Sequence, residues 1–193
     1  MRLDSITCWE PTNVDDPMMR AAGRLYERTL APDERIPWMW IEKAVAGSKP
    51  GGWRKHLILA SQEGRSADPE SLAGYVYGAF IPGYGGYLCY VGVADWARRT
   101  GVGTRLYEAF FQAMQADAKA ADESLPFVVW ESHRPEADAP DLVRRHYPAA
   151  KFWDFDIDLP RKIDMADAKS VPDLEQIGEK LADTIDWQKV LNL

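Results

Sequence analysis

Cysteine is nearly absent from this chain of 193 residues: Cys8 and Cys89 lie far apart and form no CxxC pair. That argues against a disulfide framework and against a structural zinc site, and both side chains are expected as reduced thiols. There is also no long apolar run, whereas a bilayer-spanning helix needs about 20 such residues. The opening stretch MRLDSITCWEPTNVDDP lacks a basic region followed by an apolar core, so no secretory signal is predicted and a cytoplasmic setting is expected. Positive charge is in deficit, with 23 Lys and Arg against 30 Asp and Glu for a net charge of -7. Such a balance repels polyanions, so nucleic acid is not expected as a partner, and a cationic small molecule suits it better. Internal repeats and low-complexity segments are missing as well.

What is present reads as one compact α/β unit. A hydrophobic share of 46% with 27% charged residues is ordinary for a globular chain long enough to bury a sizeable core. A strand is predicted from Leu3 to Trp9. A helix follows with Asp16 as N-cap, Pro17 at its first position, and Met18, Ala22, Leu25 and Tyr26 on one face. A second helix falls within DERIPWMWIEKAVAG, opened or kinked by Pro37 and ended at Gly47. RKHLILA, SLAGYVYGAFI and YLCYVGV read as strands, the first two joined by the turn-rich SQEGRSADPE and the last two by the turn PGYGG.

A helix with Leu106, Phe110 and Met114 on one side then runs to about Ala121. PFVVW reads as a buried strand by its continuous apolar character, and DLVRRHY as a short helix closed by Pro148. In KFWDFDIDLP, Trp153, Phe155, Ile157 and Leu159 alternate with polar residues, the period of a strand with one wet face. From Arg161 onward the chain is less apolar, with Leu174, Ile177, Leu181 and Ile185 at helical spacing. The predicted architecture is a mixed, mostly antiparallel central sheet flanked by helices over residues 1–160, with a helical C-terminal extension over 161–193.

The stretch RRTGVGTRLYEAFF, residues 98–111, sets two arginines and two glycines immediately before an amphipathic helix. A phosphate docked at a helix start needs free N–H donors, a favourable dipole and no obstructing side chain. Gly101 and Gly103 meet the last requirement. A Walker loop is excluded, because Gly103 is followed by Thr104 and Arg105 rather than Lys and Ser or Thr. A Rossmann fingerprint fails too, since its third glycine position holds Leu106. What is left is R-x-x-G-x-G from Arg98 to Gly103. The competing explanation is a glycine-bearing helix start that packs closely on a strand.

With the strand ending YVGV before it and the amphipathic helix after it, this segment resembles the GNAT superfamily of acyl-CoA-dependent N-acyltransferases. The order of elements matches over roughly residues 3–160, and Val93 stands where a typical member carries valine. Asp95 replaces the usual proline. The resemblance implies that Arg98, Arg99, Thr100, Gly101, Val102, Gly103 and Thr104 wrap the pyrophosphate of acetyl-CoA. It also implies that β-strand backbone near Val91 and Val93, freed by a bulge, holds pantetheine and the acyl carbonyl, with no metal required.

Further roles follow from the same resemblance. Tyr147 is the candidate acid for the thiolate, although Lys151 replaces the family's glycine and Pro148 biases Tyr147 away from helical geometry. Glu131 is the candidate base and His133 the second. Glu136, Asp138 and Asp141 form an acidic loop that suits a cationic acceptor. Trp38, Trp40, Tyr84 and Tyr87 are candidates for an aromatic acceptor pocket, with core packing as the plainer explanation of the tryptophans. Cys89 has no adjacent histidine and reads as a small buried residue.

The usual asparagine after the fifth strand and the usual seventh strand have no match. The tail or a second copy of the chain is expected to cover that sheet edge. The function implied is acetyl transfer to a primary amine of a small molecule or peptide. A CoA-binding sensor without turnover is the rival, and a purely structural interaction protein the third possibility.

Overall fold

The computed structural model describes residues 6–47, 52–62 and 69–130. Five strands form one sheet in the order β1-β2-β3-β4-β5: β1 Ile6–Trp9, β2 Arg54–Gln62, β3 Leu72–Ile81, β4 Gly85–Val93 and β5 Val128–Trp130. The first four pair antiparallel with their neighbours, and β4 pairs with β5 in parallel. The helices are α1 Pro17–Thr29, α2 Trp38–Val45 and α3 Val102–Ala120. The mixed, mostly antiparallel sheet with flanking helices is the predicted architecture.

Local chemistry explains the helix boundaries. Asp16 caps α1, its Oδ1 accepting from the Met18 N–H at 2.8 Å, and Pro17 occupies the first turn, where a missing N–H costs nothing. Of the two options at Pro37, opening wins: α2 starts at the next residue. In α3 the buried residues are Val102, Leu106, Phe110, Met114 and Ala118, a four-residue spacing that makes one apolar stripe. Complete burial of a side chain such as Leu106 or Phe110 contributes roughly 2–3 kcal/mol.

Central strand β3 is buried from Leu72 through Phe80 and sorts its side chains between two helix layers. A Cβ on Gly74 would sit 2.9 Å from Leu106, and one on Gly78 would be 2.5 Å from the Phe110 ring. The even positions of β3 therefore face α3 at close range. Tyr75 and Tyr77 face the other side, where the Tyr75 hydroxyl meets Thr29 of α1 at 2.9 Å. The turn between β3 and β4 closes with the Tyr84 N–H on the Ile81 carbonyl at 3.0 Å, Gly83 taking φ +80° after Pro82.

PFVVW departs from its prediction. Among the described residues the strand covers Val128–Trp130 and is partly exposed, Val129 at 51%, as is Phe127 just before it, at 48%. A continuous apolar run does not distinguish a central strand from one paired on a single side, and among the described residues β5 pairs only with β4. Strand β2 also runs two residues past Ala60, and Pro69–Ser71 form a 3-10 turn before β3. The predicted strand KFWDFDIDLP, the helix DLVRRHY, the boundary at residue 160 and the tail lie outside the described residues.

Candidate active site

After β4 the chain makes a 3-10 turn, Asp95–Ala97, pinned by the Ala97 N–H on the Ala94 carbonyl at 2.8 Å and by the Thr100 hydroxyl on the Ala97 carbonyl. Arg99 then takes φ +60° and Gly101 φ +91° before α3 begins. A left-handed arginine is uncommon and holds strain on the order of 1 kcal/mol. A left-handed residue followed by helical backbone gathers successive N–H groups into a concave, anion-binding surface. The first helical bond is made by the Arg105 N–H to the Gly101 carbonyl at 3.1 Å. The amides of Arg99, Thr100, Gly101, Val102 and Gly103 have no acceptor among the described residues, and they sit at the positive end of a 19-residue helix.

Space at the glycines separates the two explanations offered for them. Gly74, Gly78 and Gly92 are packing glycines, because an added Cβ would press on backbone or on Leu106, Phe110 and Tyr75. Among the described residues, a Cβ on Gly103 would meet only Val93 Cγ2, at 3.9 Å. Close packing on a strand therefore does not demand glycine at 103. Gly101 is favoured by its own left-handed backbone, φ +91°.

The strand that feeds this loop is interrupted. Tyr77 pairs with Tyr90 but Gly78 pairs with Leu88, so Cys89 is an extra residue in β4. Among the described residues, pairing between β4 and β5 reaches Leu88 and Trp130. Beyond it, the Ala94 N–H bonds to the Ala73 carbonyl at 2.8 Å. In an antiparallel ladder the bonded positions alternate, so Gly92 and Tyr90 turn their peptide groups toward β3, and Val91 and Val93 turn theirs to the opposite edge. That edge has no strand partner among the described residues.

The bulge also reverses the facing of β4. Ahead of it, a Cβ on Gly86 would approach Met114 of α3 at 3.6 Å; after it, the Tyr90 ring packs on Tyr26 of α1 with centroids 5.3 Å apart. Tyr90 also stacks on Tyr77 at 6.4 Å, and Tyr26 contacts Trp38 at 5.4 Å and Tyr75 at 5.9 Å. This aromatic group beside the open edge is one that sequence reasoning missed. The alternation of Tyr75 and Tyr77 was a signal for it, but the bulge that brings Tyr90 to the same face has no sequence mark.

Of the predicted acceptor residues, Trp38 is half-buried and lies against Gly23, where a Cβ would come within 2.9 Å of its Nε1. Trp40 and Tyr84 are exposed, and Tyr87 sits ahead of the bulge opposite Ala79. No ring contact joins these four among the described residues. Burial pushes the Cys89 thiol up to about 12, with Lys55 opposing, so it is a poor nucleophile near neutral pH. Tyr147, Glu131, His133, Glu136, Asp138, Asp141, Pro148 and Lys151 lie outside the described residues.

Charge at the loop is partly matched internally. Arg98 Nη2 lies 3.2 Å from Asp95 Oδ1, and Arg105 Nη1 lies 3.1 Å from Glu108 Oε2, while Arg99 enters no ion pair among the described residues. A second polar group sits near the other end of α3. His56 of β2 is bracketed by Glu10 at its Nδ1 and Asp117 at its Nε2, both at 2.7 Å, and Arg54 donates to the Asp117 carbonyl at 2.7 Å. Burial alone would lower the imidazole's proton affinity, but the two carboxylates outweigh it and raise the His56 pKa above its ordinary value. No group of His, Cys, Asp and Glu suited to a metal ion occurs among the described residues, and no described helix is long and apolar enough to cross a membrane.

Known structures share this fold. No curated protein sequence matches the chain. The fold is shared with an aminoglycoside acetyltransferase from an uncultured soil metagenomic sample, solved with sisomicin, at TM-score 0.57 and 15% identity over 82% of this chain and 98% of that one. It is shared also with the ribosomal-protein-S18-alanine N-acetyltransferase from Escherichia coli, at TM-score 0.53 and 15% identity over 74% and 76%. A third is AAC(6')-Iy, solved with the bisubstrate analog CoA-S-monomethyl-acetylneamine, at TM-score 0.53 and 11% identity over 81% and 99%. A model of the acetyltransferase (GNAT) family matches residues 15–138. With the interrupted strand and the glycine-bearing start of α3, that match over more than half its length makes the chain a member of the GNAT acetyltransferase family and an acyltransferase.

Proposed function

We propose that the protein transfers an acetyl group from acetyl-CoA to a primary amine of a small molecule or peptide. The observation that carries the reading is that, among the described residues, the amides of Gly101, Val102 and Gly103 have no acceptor and a Cβ on Gly103 would meet only Val93. The chain fits the coenzyme there: the amides and the helix dipole suit a diphosphate, and Arg98, Arg99 and Thr104 flank it. The outward peptide groups of Val91 and Val93 suit the amides of a pantetheine arm laid along β4. Bound acetyl-CoA supplies an activated acyl thioester.

The chain's own residues then have two tasks. The Val91 N–H donates to the acyl oxygen as negative charge grows on it, a role whose loss costs about 3 kcal/mol in comparable sites. The cleft walls hold the amine against the carbonyl carbon, which supplies much of the remaining acceleration. Tyr147 is the candidate donor of a proton to the departing thiolate, and Glu131 the candidate base that keeps the amine neutral. The acidic balance of the chain and the acidic loop at Glu136, Asp138 and Asp141 favour an acceptor that arrives as a cation.

A panel of aminoglycosides, polyamines, peptide N-termini and lysine peptides, scored by release of free CoA thiol, tests the reading. Release dependent on one amine class supports transfer, and a Tyr147→Phe variant that releases thiol unchanged removes Tyr147 from the mechanism. A CoA-binding sensor without turnover is the second reading, favoured by Lys151 and Pro148 beside Tyr147. It predicts a thermal shift with acetyl-CoA and no thiol release with any amine.

A further inference from the structure

The two adjacent arginines at the start of the loop are not equivalent. Arg98 is already engaged: its Nη2 lies 3.2 Å from Asp95 Oδ1, and both side chains are largely exposed, at 62% and 90%. Burial does not force that contact; it is made local by the turn. The Ala97 N–H on the Ala94 carbonyl and the Arg98 N–H on the Asp95 carbonyl hold residues 95 and 98 on one side of a 3-10 turn, where side chains three apart eclipse. Arg105, one turn into α3, is matched in the same way by Glu108. Arg99, with its left-handed backbone, has no carboxylate partner among the described residues.

We propose that Asp95 limits the affinity of the coenzyme site by occupying Arg98, so that Arg99 is the principal side-chain cation for the phosphates. The inference rests on the reading that the CoA diphosphate docks at the start of α3. A phosphate oxygen approaching Arg98 shares its guanidinium with a carboxylate held at Nη2, and it meets a like charge within a screening length. Arg99 offers its guanidinium without that competition.

The experiment is CoA binding by calorimetry at low salt on the full chain, for wild type, Asp95→Asn, Arg98→Gln, Arg99→Gln and the Asp95→Asn/Arg98→Gln double variant. Asp122→Asn makes the same charge change beyond the far end of α3, about 30 Å along the helix, and serves as the control. Asp95→Asn should tighten CoA binding by about three- to fivefold, the scale of an exposed ion pair, and Asp122→Asn should leave it unchanged. Arg99→Gln should weaken binding about tenfold and Arg98→Gln less than threefold, as expected for a charge-assisted phosphate contact against one already engaged. The Arg98 effect should grow once Asp95 is neutral, the non-additivity of neighbours that share a partner.

If wild type binds CoA but Asp95→Asn binds no more tightly than Asp122→Asn, or Arg98→Gln costs as much as Arg99→Gln, the proposal is overturned while the site reading stands. If wild type shows no CoA binding at all, both fall.

Discussion

Helix α3 carries charged and polar groups near both ends, and the two sets are satisfied differently. Toward its C-terminus, Asp117 is closed within the protein: His56 and Arg54 both reach it, and Glu10 completes the bracket on the far side of the imidazole. At its N-terminus the amides of Gly101, Val102 and Gly103 find no acceptor among the described residues, and the nearby Arg98–Asp95 pair is exposed. A polar group satisfied from three elements ties those elements together. One left open at a helix start, with uncrowded space beside it, suits a ligand. The comparison therefore separates a structural clamp from the proposed binding site on the same helix.

The largest effect should come from breaking the clamp. His56→Ala leaves Asp117 and Glu10 facing each other without the cation between them, and should lower unfolding stability by about 2–3 kcal/mol in urea titrations, with CoA affinity unchanged. The sign of its pH dependence follows from the raised proton affinity of His56. A folded-state pKa above the unfolded value of 6.5 gives stability that is complete below 6.5 and is lost as pH rises through the folded value. Wild type should therefore exceed His56→Gln in stability by more at pH 6 than at pH 9; an equal gap at both would mean the imidazole is not held charged.

A smaller effect is expected at the open end. Gly101→Ala forces a Cβ into φ +91° and should cost about 1–2 kcal/mol of stability. Unlike His56→Ala it should also weaken CoA, because the amides around it would turn. A loss of stability with CoA affinity intact would merge the two ends into one class and break the comparison.

Legibility in the sequence followed the range of the interactions involved. Asp16 and Pro17 announce α1 because capping is settled within a few residues, and Leu106, Phe110 and Met114 announce the buried stripe of α3 because one face decides it. The loop from Arg98 to Gly103 stands out in the sequence because its arginines and glycines fall within six consecutive positions just before α3, and a phosphate cradle is the role proposed for it. The bulge at Cys89 was not, since it depends on register against β3, and so the union of Tyr90 with Tyr26 and Tyr77 went unseen. His56, Glu10 and Asp117 are separated by 46 and 61 positions, beyond any local pattern. Trp38 carries two readings in the sequence, a ligand wall and core packing, and its contacts with Gly23 and Tyr26 are packing contacts.

The most direct test places a carboxylate in the proposed cradle without disturbing the fold. Among the described residues Gly103 has only Val93 Cγ2 near its added Cβ, at 3.9 Å, and it lies in the first turn of α3, where an acidic side chain favours the helix by about 0.3–1 kcal/mol. Gly103→Asp should therefore melt at or above the wild-type temperature while its CoA affinity falls by roughly thirtyfold or more, the loss of a charge-assisted anion site. A variant that keeps both its stability and its CoA affinity would contradict the account.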